Sequence, residues 1–318
     1  MKKAFLLVLL SIISINLFSQ IDSTKVAFVS YWSTGDSYDF KVSNIKQQWK
    51  KGQLVKDEKK EYLANFTVLD STDTSYTVKW SYQNDLSSDF AIPKDFFDKF
   101  TKYKTSEIIY KTSELGEFIE ILNWKEIGEK MNNLFNDIIN IMGDSDNEEK
   151  EFIKRAMTPI IKTYSSKEGI EQLLLKEIQY FHFPMGVEFD ITEPLSYDEE
   201  IANILGGDPI KAKTTLTFDH VDFEEEFCVL KQKTRLDADD SMRMIKEFFS
   251  RIKIDSKEME KAFENAVFEI NDNNTYEFHY NPGVPHKIEA VRESIIDIDK
   301  EKGRRIDKTI IELIYEEE

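Results

Sequence analysis

Two hydrophobic periods alternate along the chain, one of two residues and one of a helical turn. Up to about residue 83 the period is two. "YLANFTV" sets Tyr62, Ala64, Phe66 and Val68 against Leu63, Asn65 and Thr67, and "YTVKWSY" sets Tyr76, Val78, Trp80 and Tyr82 against Thr77, Lys79 and Ser81. That alternation marks antiparallel strands with one buried face, and "DSTDTS" between them is turn chemistry. "PKDFFDKF" begins with Pro93, which suits the first turn of a short helix. "EIIYKTSELGEFIEIL" reads as a hairpin turning near Gly116.

From Trp124 to Phe181 the period becomes helical. Ile127, Met131, Leu134, Phe135, Ile138 and Met142 share one face. A second run carries Phe152, Ile153, Ala156, Met157, Ile160 and Ile161, with Pro159 expected to kink it. A third carries Ile170, Leu173, Leu174 and Ile178. Ser145 with Glu148, and Ser165 with Glu168, have capping-box spacing. Polar residues fill the opposite faces, so the apolar stripes read as core packing.

Strand patterns return at residue 187 and run through "VEFDITEPLSYDEEIANIL", the turn "GGDP", "IKAKTTLTF" and "EEFCVLKQKTRL". Helices follow at "DSMRMIKEFFSRI" and "SKEMEKAFENAVF", then a hairpin and a last strand, "RRIDKTIIELIYEE". The order strands, helix, hairpin thus occurs twice, with "IIYKT…FIEI" placed like "YEFHY…KIEA". The expected fold is α+β: two β-rich halves of curved antiparallel sheet (20–124 and 182–318) with covering helices, and a helical segment, 125–181, inserted between them.

The hairpin "YEFHYNPGVPH" (276–286) holds two of the four histidines. A two-residue Pro282–Gly283 turn would place His279 opposite His286, as a shared metal requires. That register pairs Ile288 with Glu277, and L-Pro-Gly suits a two-residue hairpin poorly. A three-residue loop pairs Phe278 with Ile288 and Tyr276 with Ala290, which keeps the apolar face intact. It sends His279 and His286 to opposite faces, so no metal site is expected here.

The chain has 318 residues, 60 acidic and 42 basic, for a net charge of −18, and no basic block stands out along it. Duplex nucleic acid, which needs clustered cations, is excluded as a partner on this reading. "MKKAFLLVLLSIISINLFSQ" has two lysines and then an apolar run of about 15 residues, short of the about 20 that span a bilayer. This is the pattern of a secretory signal peptide, residues 1–19, cut near Ser19–Gln20. No stable membrane insertion is expected after cleavage, and the location is periplasmic or secreted. Cys228 is the only cysteine, so the chain forms no internal disulfide and lacks a cysteine near the leader for acylation. In the strand-like "EEFCVLKQK" it reads as a buried structural thiol.

Other candidate chemistry fails on context. Asp144, Asp146 and Glu148 have calcium-loop spacing, but Glu149 and Arg155 stand where Gly and Glu are needed. His220 and Asp222 share a strand face at a hairpin tip. Ser43-x-x-Lys46 lies in a strand pattern without a downstream Lys-Thr-Gly. Hydrolase, phosphate-loop and zinc-protease motifs are missing. No catalytic, cofactor-binding or metal residue is therefore assigned.

"YFHFPMGVEFD", "IANILGGDPIKAKTTLTF" and "QKTRLDADDSMRMIKEFF" resemble segments of uncharacterised secreted proteins of the Bacteroidota, over roughly residues 180–250. The resemblance implies export and this type of fold, and no activity. In that phylum Asp-Ser/Thr followed by an apolar residue or Thr can be O-glycosylated, a pattern met at Ser23, Ser71 and Ser241.

The function expected is that of an exported, non-enzymatic binding protein of the cell envelope. Its 40 aromatic residues suit an apolar ligand held between sheet and helices, with Trp80 as the candidate contact. Periplasmic lipoprotein carriers offer a fold analogy. A structural or protein-interaction role in the envelope, bound to an envelope partner, is the alternative. A hydrolase with no recognisable motif is the second.

Overall fold

The structure, a computed structural model, describes residues 24–82, 107–142, 147–203, 205–251, 263, 266–298 and 301–315. The leader, the "PKDFFDKF" helix, the Ser145 cap, the calcium-like Asp144 and Asp146 and most of the helix "SKEMEKAFENAVF" lie outside these residues; the last two residues of that run, Val267 and Phe268, are strand rather than helix.

Eleven strands form one antiparallel sheet. In chain order they are β2 (Ser37–Lys50), β3 (Gln53–Thr72), β4 (Ser75–Tyr82), β5 (Glu107–Ser113), β6 (Phe118–Ile121), β8 (Leu195–Ile201), β9 (Ile210–Asp222), β10 (Phe227–Leu236), β11 (Val267–His279), β12 (Val284–Ile298) and β13 (Glu301–Leu313). Their spatial order is β6-β5-β4-β3-β2-β13-β12-β11-β10-β9-β8, so β6 and β8 are free edges and the sheet is open. The fold is thus mostly antiparallel β-sheet with a few helices. Strands before residue 124 form one flank and strands after 182 the other, joined where β2 pairs with β13. A separate two-stranded ribbon pairs β1 (Lys25–Ala27) with β7 (Glu188–Asp190).

Helices cover the inner face. They are α1 (Trp124–Met142), α2 (Asn147–Tyr164), α3 (Lys176–His182) and α4 (Ala238–Arg251). The third helical run is not continuous. A short turn at Lys167–Gly169 passes into a π-helical turn, Ile170–Leu174, and breaks at Leu175 (φ −104°, ψ 46°) before α3 starts. The cap is also one residue later than the spacing suggests: Ser166 Oγ accepts from Gly169 N, while the buried Ser165 hydroxyl has no partner among the described residues.

At one end, which we term the closed end, residues 28–32 stitch the two flanks together. Ser30 N donates to Leu115 O in the β5–β6 turn, and Tyr31 N donates to Pro282 O in the β11–β12 turn. Phe28 packs on Phe218 and Phe278 of one flank; Trp32 packs on Phe66 and Tyr76 of the other. The approach is close enough to require glycine. A Cβ on Gly283 (φ +84°) would stand 2.7 Å from Val29 O, and one on Gly116 (φ +88°) would stand 3.0 Å from Ser30 Cβ.

The β11–β12 register differs from both that the sequence suggests. Tyr276 pairs with Ile288 and Glu277 with Lys287; then the register shifts, and Phe278 pairs with Pro285 and His279 with Val284. A bulge at His286 is the physical reason. It keeps Tyr276, Phe278 and Ile288 inside, as burial demands, without an unbroken ladder. Consequently His279 and His286 do not lie on opposite faces. Their ring centroids are 6.1 Å apart, with Phe227 beside both.

The sheet also gathers cations that lie far apart in the sequence, beside Glu293 and Asp297. The β2–β3 and β12–β13 turns lie side by side, with Lys51 N donating to Lys302 O and Arg304 stacked over Trp49 at 4.9 Å. Lys50, Lys51, Lys302 and Arg304 thereby meet at the end opposite residues 28–32.

Candidate functional site

Strand pairing arranges the inner face of β2 and the second flank into rows that run across the sheet. The first row, Val42–Ile311–Ile288–Tyr276–Leu230–Phe218, is apolar apart from one hydroxyl. The next is mixed: Asn44–Thr309–Ala290–Asn274–Gln232–Leu216. The third is Lys46–Asp307–Arg292–Asp272–Thr234–Thr214, four alternating charges followed by two hydroxyls. Charges on the inward parity of a sheet must be paired or hydrated.

Most of them are paired. Arg292 donates two parallel bonds to Asp272, Nε to Oδ1 at 2.7 Å and Nη2 to Oδ2 at 2.6 Å. Hydrogen bonding to Asp272 and that carboxylate's charge outweigh the burial of Arg292 and hold its pKa above the ordinary value. Arg305 forks onto Asp307 in the same way. Tyr276 Oη donates to Gln232 Oε1 at 2.8 Å, and Asn274 Nδ2 donates to the same oxygen at 2.9 Å. Thr309 donates to Asn44 at 2.9 Å.

The helices do not close down on these rows. A cleft of about 500 Å³ separates them, and a second of about 290 Å³ lies alongside; Lys176 and Arg292 border both. The larger cleft has an apolar wall of Leu205, Met244, Ile245, Phe268 and Ile270. The loop before β9 is held there by α4, whose Arg251 donates to the Leu205 and Gly206 carbonyls and whose Arg243 donates to the Pro209 carbonyl. Lys176 opens α3, directly after the break at Leu175, and its ammonium makes no hydrogen bond or ion pair with a described residue. More than a third of its surface is accessible, yet protein surrounds it closely. It therefore faces the cleft, where burial and the nearby Arg292 guanidinium lower its pKa. A larger depression, about 650 Å³, lies on the β8–β10 edge, but it is more open and its lining is charged except for Ala212.

Trp80 lies elsewhere. It is fully buried, stacked on Phe40 at 5.7 Å and edge-on to Phe181 at 5.9 Å, and does not line these clefts. Its neighbourhood holds His182, whose Nδ1–H donates to Gly116 O at 2.7 Å; Nε2 therefore accepts from the Tyr110 hydroxyl at 2.8 Å. Burial pushes the His182 pKa down to about 4, so the ring is neutral.

The remaining sequence candidates have structural roles. Cys228 is buried, which pushes its thiol up to about 12. Ser43 bonds to Glu61, and Asp222 Oδ1 accepts from Glu224 N and Glu225 N at the β9–β10 turn. Ser241 is fully buried, whereas Ser71 is exposed and bonded to Thr34. Among the described residues, no group of three His, Cys, Asp or Glu can hold a metal ion, and no helix is long and apolar enough to cross a membrane.

No known family and no curated protein matches the chain. Among solved structures it is similar to lipovitellin, studied for its lipid–protein interactions, with a TM-score of 0.42 and 9% identity over 89% of this chain; it spans 25% of that chain's length. It is also similar to Ail, the attachment invasion locus protein of Yersinia pestis (TM-score 0.15, 6% identity, 89% of this chain and 100% of that one). An outer-membrane channel of Pseudomonas putida F1 gives a TM-score of 0.17 and 8% identity over 90% of this chain and 98% of the other. None of these scores bears on function.

Proposed function

We propose that the chain is an exported, non-enzymatic binding protein of the cell envelope that carries an amphiphilic ligand between its sheet and its helices. The observation that carries this reading is the cleft of about 500 Å³, lined by apolar side chains of α4, the loop before β9 and the start of β11, and by mostly polar and charged ones of β2, β12, β13 and α3. Its volume is that of a small-molecule site, about 300–1,000 Å³. Within this reading the ligand sits at the second flank, and Trp80 serves as core beneath the first.

Export rests on the leader pattern at residues 1–19. Intact-mass measurement of protein from the envelope fraction should give a chain beginning near Gln20; a membrane-bound form beginning at Met1 would oppose it. The binding claim is tested by Ser294→Trp, which fills the cleft from its sheet wall. A fluorescent acyl probe should bind wild type and fail to bind the variant, with unchanged circular dichroism. Equal binding to both would move the ligand elsewhere.

An interaction protein is the second reading. It is favoured by the exposed Tyr31, Leu115 and Val187, apolar side chains gathered at the closed end.

A further inference from the structure

The large cleft has a chemical asymmetry that narrows the ligand. Its lining carries five cations, Lys46, Lys176, Arg292, Arg305 and Lys308, and two carboxylates, Glu177 and Asp307, in a chain of net charge −18. The cations are not equivalent. Arg292 and Arg305 are forked onto Asp272 and Asp307, and Lys308 bonds to Glu289 at 2.7 Å. Glu177 is engaged by the Tyr62 hydroxyl at 2.8 Å. Lys176 alone of these groups has no hydrogen-bond or ion-pair partner among the described residues. The Asp307, Glu177 and Asp272 carboxylates act on the Lys176 ammonium only through space, so its three donors stay available to an anionic head group.

Its placement is built rather than incidental. The π-helical turn at Ile170–Leu174 and the break at Leu175 end one helical segment and begin another, and this sets Lys176 in the lining of both clefts. Such π turns recur at functional sites. Across the larger cleft stands the wall of Met244, Ile245 and Phe268, which can take a hydrocarbon chain.

We infer that the ligand is an anionic amphiphile: an acyl or alkyl chain ending in a carboxylate or a phosphate, with Lys176 as the head-group contact and the α4 side as the chain contact. This rests on the carrier reading above and specifies its ligand.

The test is competition against a fluorescent acyl probe by dodecanoate, dodecyl phosphate and dodecanol, on wild type, Lys176→Met and Lys176→Arg. Both anions should outcompete dodecanol by about tenfold or more on wild type, the size of one charge-assisted hydrogen bond. Lys176→Met should erase that advantage while leaving dodecanol unchanged, and Lys176→Arg should restore most of it. Tighter binding of dodecyl phosphate assigns a phospholipid-type head; tighter binding of dodecanoate assigns a free fatty acid. If dodecanol matches the anions on wild type, or the anion advantage survives Lys176→Met, the inference is overturned and the carrier reading stands. If neither the probe nor any competitor binds wild type, both fall.

Discussion

The two ends of this sheet solve opposite problems with the same kind of surface. At the closed end, the inward positions carry large aromatic and aliphatic side chains: Phe40, Phe66, Trp80, Tyr110 and Phe278 are all fully buried. Residues 28–32 and Phe181 fill what the strands leave. Toward the opposite end, the inward positions of β2 and β10–β13 turn polar and then charged, and the helices stand off by a cleft. The open sheet divides its labour between its two ends. One end meets the conformational cost of folding by burying apolar area. The other keeps polar side chains satisfied among themselves and leaves space. Among the described residues, Lys176 makes no hydrogen bond or ion pair there.

The comparison can be broken most forcefully at the closed end. Trp80→Ala empties a fully buried site between Phe40 and Phe181 and should cost about 3–5 kcal/mol of stability. Chemical denaturation with unchanged m-value would read it. A loss below about 1 kcal/mol would mean that Trp80 faces removable space.

Acid should loosen the same end. The pKa of His182 falls from 6.5 to about 4 on folding, so the unfolded chain binds the proton more readily. The contribution is complete above pH 6.5 and is lost as pH falls toward 4, about 3 kcal/mol in all. His182→Gln should flatten the pH dependence of stability in that window; an unchanged slope would contradict the neutral, buried ring.

Removing a charge from the open end should matter less. Asp272→Ala strands the Arg292 guanidinium, but both side chains retain some solvent contact, 15% and 27%. The expected loss is about 1–3 kcal/mol, largely recovered in Asp272→Ala/Arg292→Met, where no charge is orphaned. Smallest of all, Lys176→Met should change stability by no more than about 0.5 kcal/mol, because the ammonium makes no hydrogen bond or ion pair with a described residue.

How much of this was legible in sequence follows from the range of the interactions. Period-two alternation identified the strands, and the parity of Val78 and Trp80 gave their buried face, because each strand's pattern is local. The turn at Gly116 was legible for the same reason. The pairing of β2 with β13 joins segments some 250 residues apart, with no local mark. The polar inner rows left a trace that could have been found: Asp272 and Asn274 sit on the parity of Tyr276 and Phe278, where an ordinary core strand would place apolar residues. Arg292 breaks the parity of Ile288 and Ala290 in the same way. Lys176 left no such trace, since it is one lysine in an amphipathic helix until the π turn sets its direction. The His286 bulge has no local mark in the sequence, and a bulge changes the face of every residue beyond it.

Hydrogen exchange read by mass spectrometry, with and without saturating dodecanoate or dodecyl phosphate, tests the division between the two ends most directly. The account predicts added protection in α3, in α4 and in the segments of β11 and β12 around Ile270 and Ser294, with the β5–β6 hairpin and residues 28–32 unchanged. Protection centred instead on Trp80, β4 and β5, with α4 unaffected, would place the ligand at the closed end and contradict it.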